Sequence, residues 1–305
     1  MDKVIRIGTR ESQLAVWQAT QVKELLGKHG YASELVYIKS DGDTDLKTPL
    51  YEIGVQGIFT RALDIALLNS EIDIAVHSMK DVPTVMAKGI VKAAVLPRAS
   101  YLDILVPKDD HSFTDNNRPF VIATSSIRRK AQWLNRYPGS QIENLRGNVN
   151  TRLRKVEESS WSGAIFAAAG LERIGLRPAN AIDLDWMLPA PAQGAILVVC
   201  RENDTNCLDA CANFHDKETS ACVDIERDFL RELLGGCSTP ISALAAVVDG
   251  SVIFKGNILS KDGTQKVDVE QEAAVADAAN MGREAAKKLL ANGGQRILEG
   301  IQNEG

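Results

Sequence analysis

The feature that most constrains the fold of this chain is a repeated alternation of short apolar runs with longer amphipathic runs. Strands are predicted at residues 4–8, 34–38 and 72–77. The intervening helices are marked by apolar side chains at helical spacing, which are Leu14, Trp17, Val22 and Leu25 in one helix and Phe59, Leu63 and Leu67 in the other. Strands that alternate with helices in this way predict a sheet of parallel strands covered by helices.

The same pattern starts again in the middle of the chain. Strands are predicted at residues 120–123, 141–145 and 164–168, with helices that begin at Ser126 and Asn148. A further apolar strand at 195–200 is expected to return to the first α/β unit. Beyond it, an amphipathic stretch at 218–234, alternating segments at 253–259 and 267–269, and a helix from Ala276 predict a small α+β domain.

The chain of 305 residues is long enough for at least two domains. The repeated pattern predicts two α/β lobes and a C-terminal α+β domain. We expect the first lobe to comprise residues 1–97 and 195–214, the second lobe 98–194, and the C-terminal domain 215–305.

Charge is distributed unevenly along the chain. Overall, 35 Lys and Arg residues face 40 Asp and Glu residues, a formal net charge of −5. Residues 118–155 nevertheless hold a single acid, Glu143, and the cations Arg118, Arg128, Arg129, Lys130, Arg136, Arg146, Arg152, Arg154 and Lys155. One basic block in an acidic protein indicates an anionic ligand held at one place, although a solvated helix face would give the same composition.

Three predicted strand-to-helix junctions combine a helix-capping residue with arginine. They are residues 9–12, 124–129 and 146–152, with Ser12, Ser126 and Asn148 as the capping residues. Ligands of open α/β sheets bind at such junctions, next to free backbone N–H groups. Arg128 and Arg129 fall in a first helical turn, where the helix dipole disfavours cations, and a bound anion would remove that conflict. Simple caps beside surface arginines are the alternative.

A fourth junction, residues 77–83, carries His77, Lys80 and Asp81. A carboxylate at the mouth of a crevice lined by arginines can act as a general acid or stabilise a cation. An Asp before Val-Pro is also a common turn residue, so the signal is weak by itself. We expect the side chain of His77 to point into the domain.

The cysteines suggest two different roles. Cys207, Cys211 and His215 are spaced so that one helix face could present them to a metal, but small buried residues explain the spacing equally well. No fourth ligand is evident, and we expect no metal. Cys237 follows two glycines at a helix end and precedes Ser-Thr-Pro, which suits a covalent attachment point on a loop.

Several motifs resemble those of the porphobilinogen deaminase (hydroxymethylbilane synthase) family. In chain order they are IGTRES, DIAVHSMKDVP, ATSSIRRKAQ, LRGNVNTRL, AAAGLERIGL, PAPAQGA, and ERDF followed by LLGGCSTPIS. The resemblance covers nearly the whole chain. It implies two periplasmic-binding-protein-like α/β lobes and a C-terminal domain. It also implies a transferase that condenses four porphobilinogen molecules head to tail, releasing ammonia, to give hydroxymethylbilane in heme biosynthesis.

The resemblance also implies roles for particular residues. A dipyrromethane cofactor is expected on Cys237 as a thioether-linked primer, and Asp81 is expected to be the catalytic carboxylate. The other positions expected to bind the cofactor are Lys80, Thr124, Ser126, Arg128, Arg129, Arg146 and Arg152. Positions expected to bind substrate are Arg10, Ser12, Phe59, Arg173 and Gln193. The family's usual loop glycine and lysine are replaced by Val55 and Gln56, Asn150 stands where glycine is common, and Ala192 replaces a glycine.

The remaining expectations concern partners and compartment. Nucleic acid is not expected, because few aromatic residues, Phe120, Trp133 and Tyr137, accompany the basic block. Membrane insertion is not expected either, because no apolar run approaches about 20 residues. The first residues lack the pattern of a secretion signal, which favours the cytoplasm. The family resemblance suggests a monomer.

Overall fold

The computed structural model describes residues 4–39, 60–109, 120–233 and 239–303. These residues form two compact units. The first unit takes its described residues from Met1–Asp45, Val55–Ala99 and Gly194–Ser220, and the second takes them from Ser100–Gln193 and Ala221–Gly305. None of the helices within the described ranges is long and apolar enough to cross a membrane.

The strands and helices alternate over most of the described chain. The strands are β1 (Ile5–Thr9), β2 (Ser33–Tyr37), β3 (Ile74–Ser78), β4 (Ile90–Val95), β5 (Asp103–Pro107), β6 (Val121–Ala123), β7 (Gln141–Glu143), β8 (Gly163–Ala167), β9 (Ile182–Asp183), β10 (Ile196–Arg201), β11 (Ile241–Val248), β12 (Ser251–Leu259) and β13 (Lys266–Ala274). The α-helices are α1 (Gln13–Lys28), α2 (Arg61–Leu68), α3 (Ile127–Arg136), α4 (Val149–Glu158), α5 (Ala168–Glu172), α6 (Thr205–Ala212), α7 (Lys217–Glu232), α8 (Met281–Leu289) and α9 (Gln295–Asn303).

The first unit contains a five-stranded sheet in the order β2-β1-β3-β10-β4. Strand β1 pairs in parallel with β2 and β3, whereas β10 is antiparallel to both β3 and β4. Apolar side chains such as Ile7 and Val22 are fully buried between the sheet and its helices. The predicted return of the strand at 195–200 to the first lobe is confirmed.

The second unit contains a five-stranded sheet of equivalent arrangement, in the order β7-β6-β8-β5-β9. Strand β6 pairs in parallel with β7 and β8, and β5 is antiparallel to β8 and β9. The sheet has a core on each face, one around Phe166 and the other around Ile122 and Trp133. In each five-stranded sheet, one antiparallel strand thus lies between three parallel strands and an edge strand that runs in the same direction as those three.

The same unit also contains a three-stranded antiparallel sheet in the order β11-β12-β13. Helices α7, α8 and α9 contribute to its core, where the rings of Phe229 and Phe254 lie 5.1 Å apart between centroids. Gly256 on β12 lies against this pair, and a Cβ atom there would come within 2.7 Å of the Phe229 ring. Two α/β lobes and a C-terminal α+β domain are therefore confirmed.

Candidate functional site

The second lobe presents its predicted arginines at the start of helix α3. Ser126 is the N-cap, and its hydroxyl accepts a hydrogen bond from the backbone N–H of Arg129 at 3.5 Å. Thr124 is buried, and its hydroxyl accepts from the backbone N–H of Ser126 at 3.2 Å. Arg128 and Arg129 occupy the first turn, as predicted, yet their side chains are only 5% and 8% exposed.

A carboxylate that the sequence analysis missed pairs with this arginine pair, Arg128 and Arg129. Asp103, the first residue of β5, is fully buried; its Oδ2 lies 2.7 Å from Nη2 of Arg128. Its Oδ1 accepts from Nε and Nη2 of Arg129 at 3.0 and 2.7 Å. Arg128 also donates a hydrogen bond to the backbone carbonyl of Leu188, and Arg129 donates one to the backbone carbonyl of Ile165. The unfavourable interaction between these two cations and the helix dipole is thus reduced by a carboxylate of the chain itself.

The arginine pair retains a net positive charge, because its two guanidinium groups share one carboxylate. Burial lowers the pKa of Arg128, while the neighbouring Asp103 raises it. The buried Nε of Arg128 has no hydrogen-bond partner among the described residues. Buried charges in proteins are ordinarily paired and hydrogen-bonded. A group that bears carboxylates therefore fits this part of the second lobe.

A neighbouring loop adds Arg146, whose side chain is 3% exposed. This loop adjoins the α3 junction, because the Ser125 hydroxyl accepts from the backbone N–H of Leu145 at 3.0 Å. Gly147 then turns the chain with φ of +115°, and a Cβ atom there would lie 2.8 Å from a Thr151 side-chain carbon. Asn148 caps α4 as predicted, accepting from the Thr151 N–H at 3.0 Å.

Two cations of α4 fold back onto this loop. Arg152 donates from Nε to the carbonyl of Gly147 at 2.7 Å, and Lys155 donates from Nζ to the carbonyl of Arg146 at 3.0 Å. These bonds fix the backbone that carries Arg146. Asn150, where the family commonly has glycine, lies in the first turn of α4 without a left-handed conformation.

Arg173 and Gln193 complete the predicted set in the second lobe. Arg173 follows α5, and burial, partly offset by Glu172, lowers its pKa to about 10, so that it stays protonated at neutral pH. Gln193 is 1% exposed and donates from Nε2 to Asp103 Oδ1 at 2.9 Å and to the carbonyl of Tyr101 at 2.8 Å. Gln193 is therefore hydrogen-bonded to the same carboxylate, Asp103, as the arginine pair.

The first lobe brings together the other predicted residues at one edge of its sheet. Because β1 and β3 are parallel neighbours, Arg10 and Ser12 follow one strand end while Lys80 and Asp81 follow the adjacent end. Ser12 is the N-cap of α1, and Gln18 of that helix donates to the Ser78 hydroxyl at 2.9 Å. Lys80 and Asp81 lie in a short 3-10 helix.

Asp81 and His77 differ sharply in environment. Asp81 is exposed and Lys80 is half-buried. His77 is 6% exposed, as predicted; burial and the charge of Arg10 lower its pKa to about 4. The imidazole is therefore neutral at pH 7 and adds no charge to this edge, where the Asp81 carboxylate is exposed.

Phe59, Cys237 and the loop with Val55 and Gln56 lie outside the described residues. The other four cysteines, Cys200, Cys207, Cys211 and Cys222, are buried thiols. Helix α6 ends at Ala212, so His215 lies beyond the helix of Cys207 and Cys211, and its Nδ1 accepts from the Val95 N–H at 3.0 Å. The described ranges hold no group of three or more His, Cys, Asp or Glu side chains placed to bind a metal.

Sequence reasoning missed two buried carboxylates, Asp103 and Glu226. Asp103 begins an otherwise apolar strand, and Glu226 falls on the apolar face of α7 between Cys222 and Phe229. A lone acid inside an apolar pattern is the signal that could have found both, since a buried charge requires a partner. The hydrogen-bond partners of both carboxylates lie far from them in the sequence, so the sequence does not predict these contacts.

The sheets and the candidate residues define an α/β protein with buried arginines in its second lobe and an exposed carboxylate in its first lobe. The chain matches "Porphobilinogen deaminase, dipyromethane cofactor binding domain" over residues 5–209 and "Porphobilinogen deaminase, C-terminal domain" over residues 220–291. The chain belongs to the porphobilinogen deaminase family. This family comprises transferases of tetrapyrrole biosynthesis that carry a dipyrromethane cofactor.

Individual relatives agree with this assignment. The chain is 42% identical over 301 residues to "Porphobilinogen deaminase" of Syntrophotalea carbinolica, covering 97% of this chain and 96% of the relative. It is 40% identical over 303 residues to "Porphobilinogen deaminase, chloroplastic" of Pisum sativum, covering 95% and 82%. A periplasmic substrate-binding protein of an ABC transporter from Coxiella burnetii is 15% identical, with a TM-score of 0.43, covering 71% and 94%. The sheet orders confirm the predicted fold class of two α/β lobes with a small C-terminal α+β domain.

Proposed function

We propose that this chain condenses four porphobilinogen molecules head to tail on a dipyrromethane primer held by Cys237, releasing ammonia and giving hydroxymethylbilane. The observation that carries the proposal is that the arginine pair is buried against the single carboxylate of Asp103 and keeps a net positive charge. Porphobilinogen is a dicarboxylate, and arginine binds carboxylates through parallel hydrogen bonds. Each added unit brings two more carboxylates to such a site.

The proposed roles follow from the family resemblance, residue by residue. Asp81, exposed at the edge of the first sheet, gives a proton to the leaving amine and stabilises positive charge on the pyrrole. Residues proposed to hold the cofactor are Lys80, Thr124, Ser126, Arg128, Arg129, Arg146 and Arg152. Residues proposed to hold substrate are Arg10, Ser12, Arg173, Gln193 and Phe59. Gln193 acts through Asp103 as well, because its amide is hydrogen-bonded to that carboxylate.

The dipyrromethane supplies a covalently anchored pyrrole terminus to which incoming units are added. The chain's own contribution is to bind and orient carboxylates: the buried guanidinium groups supply charge, and the capped starts of α3 and α4 supply backbone N–H groups. Arg173 remains charged at neutral pH because its pKa of about 10 lies far above it.

The environments of the other cysteines support Cys237 as the attachment point. Burial raises the pKa of Cys200 to about 11 and that of Cys211 to about 12, and it also raises the pKa of Cys207. The thiolate is the nucleophilic form, so these buried thiols are poorly suited to forming a thioether. Cys222 is buried within the core of the C-terminal domain.

The proposal includes partners, compartment and domain limits. We propose a cytoplasmic monomer that binds neither nucleic acid nor membranes, in line with its acidic overall charge and scarce aromatic residues around the basic block. We retain residues 1–97 with 195–214, 98–194 and 215–305 as its three domains.

Mass spectrometry and a turnover assay test this function together. Freshly purified chain should show an intact mass greater than its sequence mass by one dipyrromethane, and peptide mapping should place the addition on Cys237. Porphobilinogen should be consumed with release of ammonia and formation of hydroxymethylbilane. An unmodified, inactive chain that binds porphobilinogen unchanged would instead indicate a ligand-binding protein of the same fold. Addition at Cys200, Cys207, Cys211 or Cys222 would overturn the attachment site.

A further inference from the structure

The turn before β10 contains an alanine in a backbone conformation that favours glycine. Ala192 has φ of +62° and is fully buried. Alanine rarely adopts this left-handed region, because its Cβ approaches the following carbonyl oxygen. The family commonly has glycine at this position. The chain must therefore hold the turn in place by other contacts.

The main such contact is made by Glu226 of α7. Its Oε2 accepts a hydrogen bond from the Ala192 N–H at 2.6 Å, and its Oε1 accepts from the Ala245 N–H of β11 at 2.8 Å. The carboxylate is fully buried. Hydrogen bonds from backbone N–H groups to a carboxylate are short and strong, especially away from water. Glu226 thus ties the turn to the C-terminal domain.

The residue after Ala192 extends this contact toward the arginine pair. Gln193 donates to Asp103, and Asp103 accepts from Arg128 and Arg129. The segment that leads into this turn contributes the carbonyl of Leu188, which accepts from Arg128 Nη1 at 2.8 Å. A shift of the turn would therefore move Gln193, which is hydrogen-bonded to the carboxylate that pairs with both arginines, and would disturb the segment that carries Leu188.

We infer that Glu226 is a positioning residue, which holds the Ala192 turn so that Gln193 and Asp103 orient Arg128 and Arg129 toward an anionic ligand. The inference rests on the proposed function and adds a residue of the C-terminal domain that touches neither substrate nor cofactor. It also explains how the chain tolerates alanine at a left-handed position.

Comparison of Glu226→Gln with the double variant Glu226→Gln/Ala192→Gly tests the inference. Glutamine keeps the size of the side chain but turns one of the two acceptors into a donor that faces a backbone N–H. Glycine makes the left-handed turn favourable without the carboxylate. The control is Glu270→Gln, which removes a 68% exposed carboxylate from β13 of the same domain.

Two readouts separate positioning from simple stability. Hydrogen–deuterium exchange of peptides spanning 188–194 and 126–133 reports order in the turn and at the start of α3. The rate of porphobilinogen consumption by the holoenzyme reports the site. We expect Glu226→Gln to exchange faster in both peptides and to lose about 10- to 100-fold in rate, the scale of a small misplacement of binding groups. The double variant should recover most of both losses, and Glu270→Gln should match the parent.

The inference is overturned if Glu226→Gln matches the parent, or if glycine at 192 recovers neither exchange nor rate. If Glu226→Gln does not fold, a folded and active double variant supports the inference. Failure of both variants to fold assigns Glu226 to the stability of the C-terminal domain alone and overturns the positioning role. If the proposed function itself is wrong, the parent chain will carry no dipyrromethane and will not consume porphobilinogen.

Discussion

The carboxylate of Asp103 accepts two hydrogen bonds from the guanidinium of Arg129, from Nε at 3.0 Å and from Nη2 at 2.7 Å. Arg128 approaches the other oxygen of the same group. One carboxylate therefore fixes two buried cations. The same contacts therefore serve both the stability of the second lobe and the site proposed for the cofactor. Stability and activity need separate measurements for this reason.

Asp103→Asn should strongly destabilise the second unit. The substitution keeps the shape of the side chain but leaves two buried guanidinium groups without their carboxylate. Removing one partner of a buried ion pair costs about 3–5 kcal/mol in the free energy of unfolding. Urea denaturation followed by circular dichroism measures the change.

Asp183→Asn is the matched control, because Asp183 pairs with Arg177 at the surface, where the two side chains are 46% and 31% exposed. Loss of an exposed pair should cost less than about 1 kcal/mol. Equal effects of the two substitutions would contradict the importance of the Asp103 contacts.

His77 should make the stability of the first lobe depend on pH. Its pKa is lowered from 6.5 to about 4, first by burial and then by Arg10, so the unfolded chain binds a proton more readily. The free energy of unfolding should therefore fall as the pH drops from 6.5 towards 4, by about 2 kcal/mol between pH 7 and pH 5 from this group alone. Urea denaturation at both pH values should show a smaller difference in His77→Gln than in the parent.

The exposed His29 provides the control for this measurement. Its imidazole is in contact with water, so His29→Gln should keep the pH dependence of the parent. An unchanged pH dependence in His77→Gln would show that the buried imidazole does not cause it.

Asp81→Asn should lose turnover while retaining bound pyrrole. The amide keeps the shape of the carboxyl group but cannot supply the proton, so single-turnover ammonia release should slow by about 10²- to 10⁴-fold. Intact mass should still show the dipyrromethane, since the substitution changes neither the thioether proposed at Cys237 nor the arginines proposed to bind the primer. Glu71→Gln, an exposed carboxylate of the same lobe, should release ammonia at the rate of the parent. Near-normal release by Asp81→Asn would remove Asp81 from the mechanism.

Arginine substitutions should affect different stages of chain growth. Arg146→Leu should stall elongation at discrete enzyme-bound masses, and Arg128→Leu should already hinder assembly of the primer, because each removes positive charge from the site. Mass spectrometry after addition of porphobilinogen distinguishes these outcomes. Arg154→Leu serves as the control, since Arg154 lies on α4 with its side chain 66% exposed. Parent-like elongation in both Arg146→Leu and Arg128→Leu would contradict the anion-binding role.

The sequence predicted the elements whose pattern is local. The caps Ser12, Ser126 and Asn148 were correct because a capping side chain bonds to a backbone group three residues away. Strands β4, β5, β9 and β11 were not predicted. Strand β5 has a charged residue at its start that breaks the apolar pattern, and its partners Arg128, Arg129 and Gln193 are all distant in the sequence.

The site was predicted in its residue types but not in its internal contacts. The sequence leaves either a ligand or solvent as the partner of the arginines, whereas the structure pairs two of them with Asp103. That pairing spans 25 and 26 positions and depends on the sheet order, which no local pattern encodes. Glu226 was missed for the same reason, because its partners Ala192 and Ala245 come from two other parts of the chain.

The position of β10 has a consequence for synthesis on the ribosome. This strand lies between β3 and β4, so the first sheet stays incomplete until residues 196–201 have emerged. The second sheet draws all its strands from residues 103–183, an uninterrupted stretch that emerges earlier. Pairing of distant segments is slow because it requires closing a long loop. The lobe that begins the chain must therefore finish folding after the lobe inserted into it, with its nascent edges at β3 and β4 exposed in the interval.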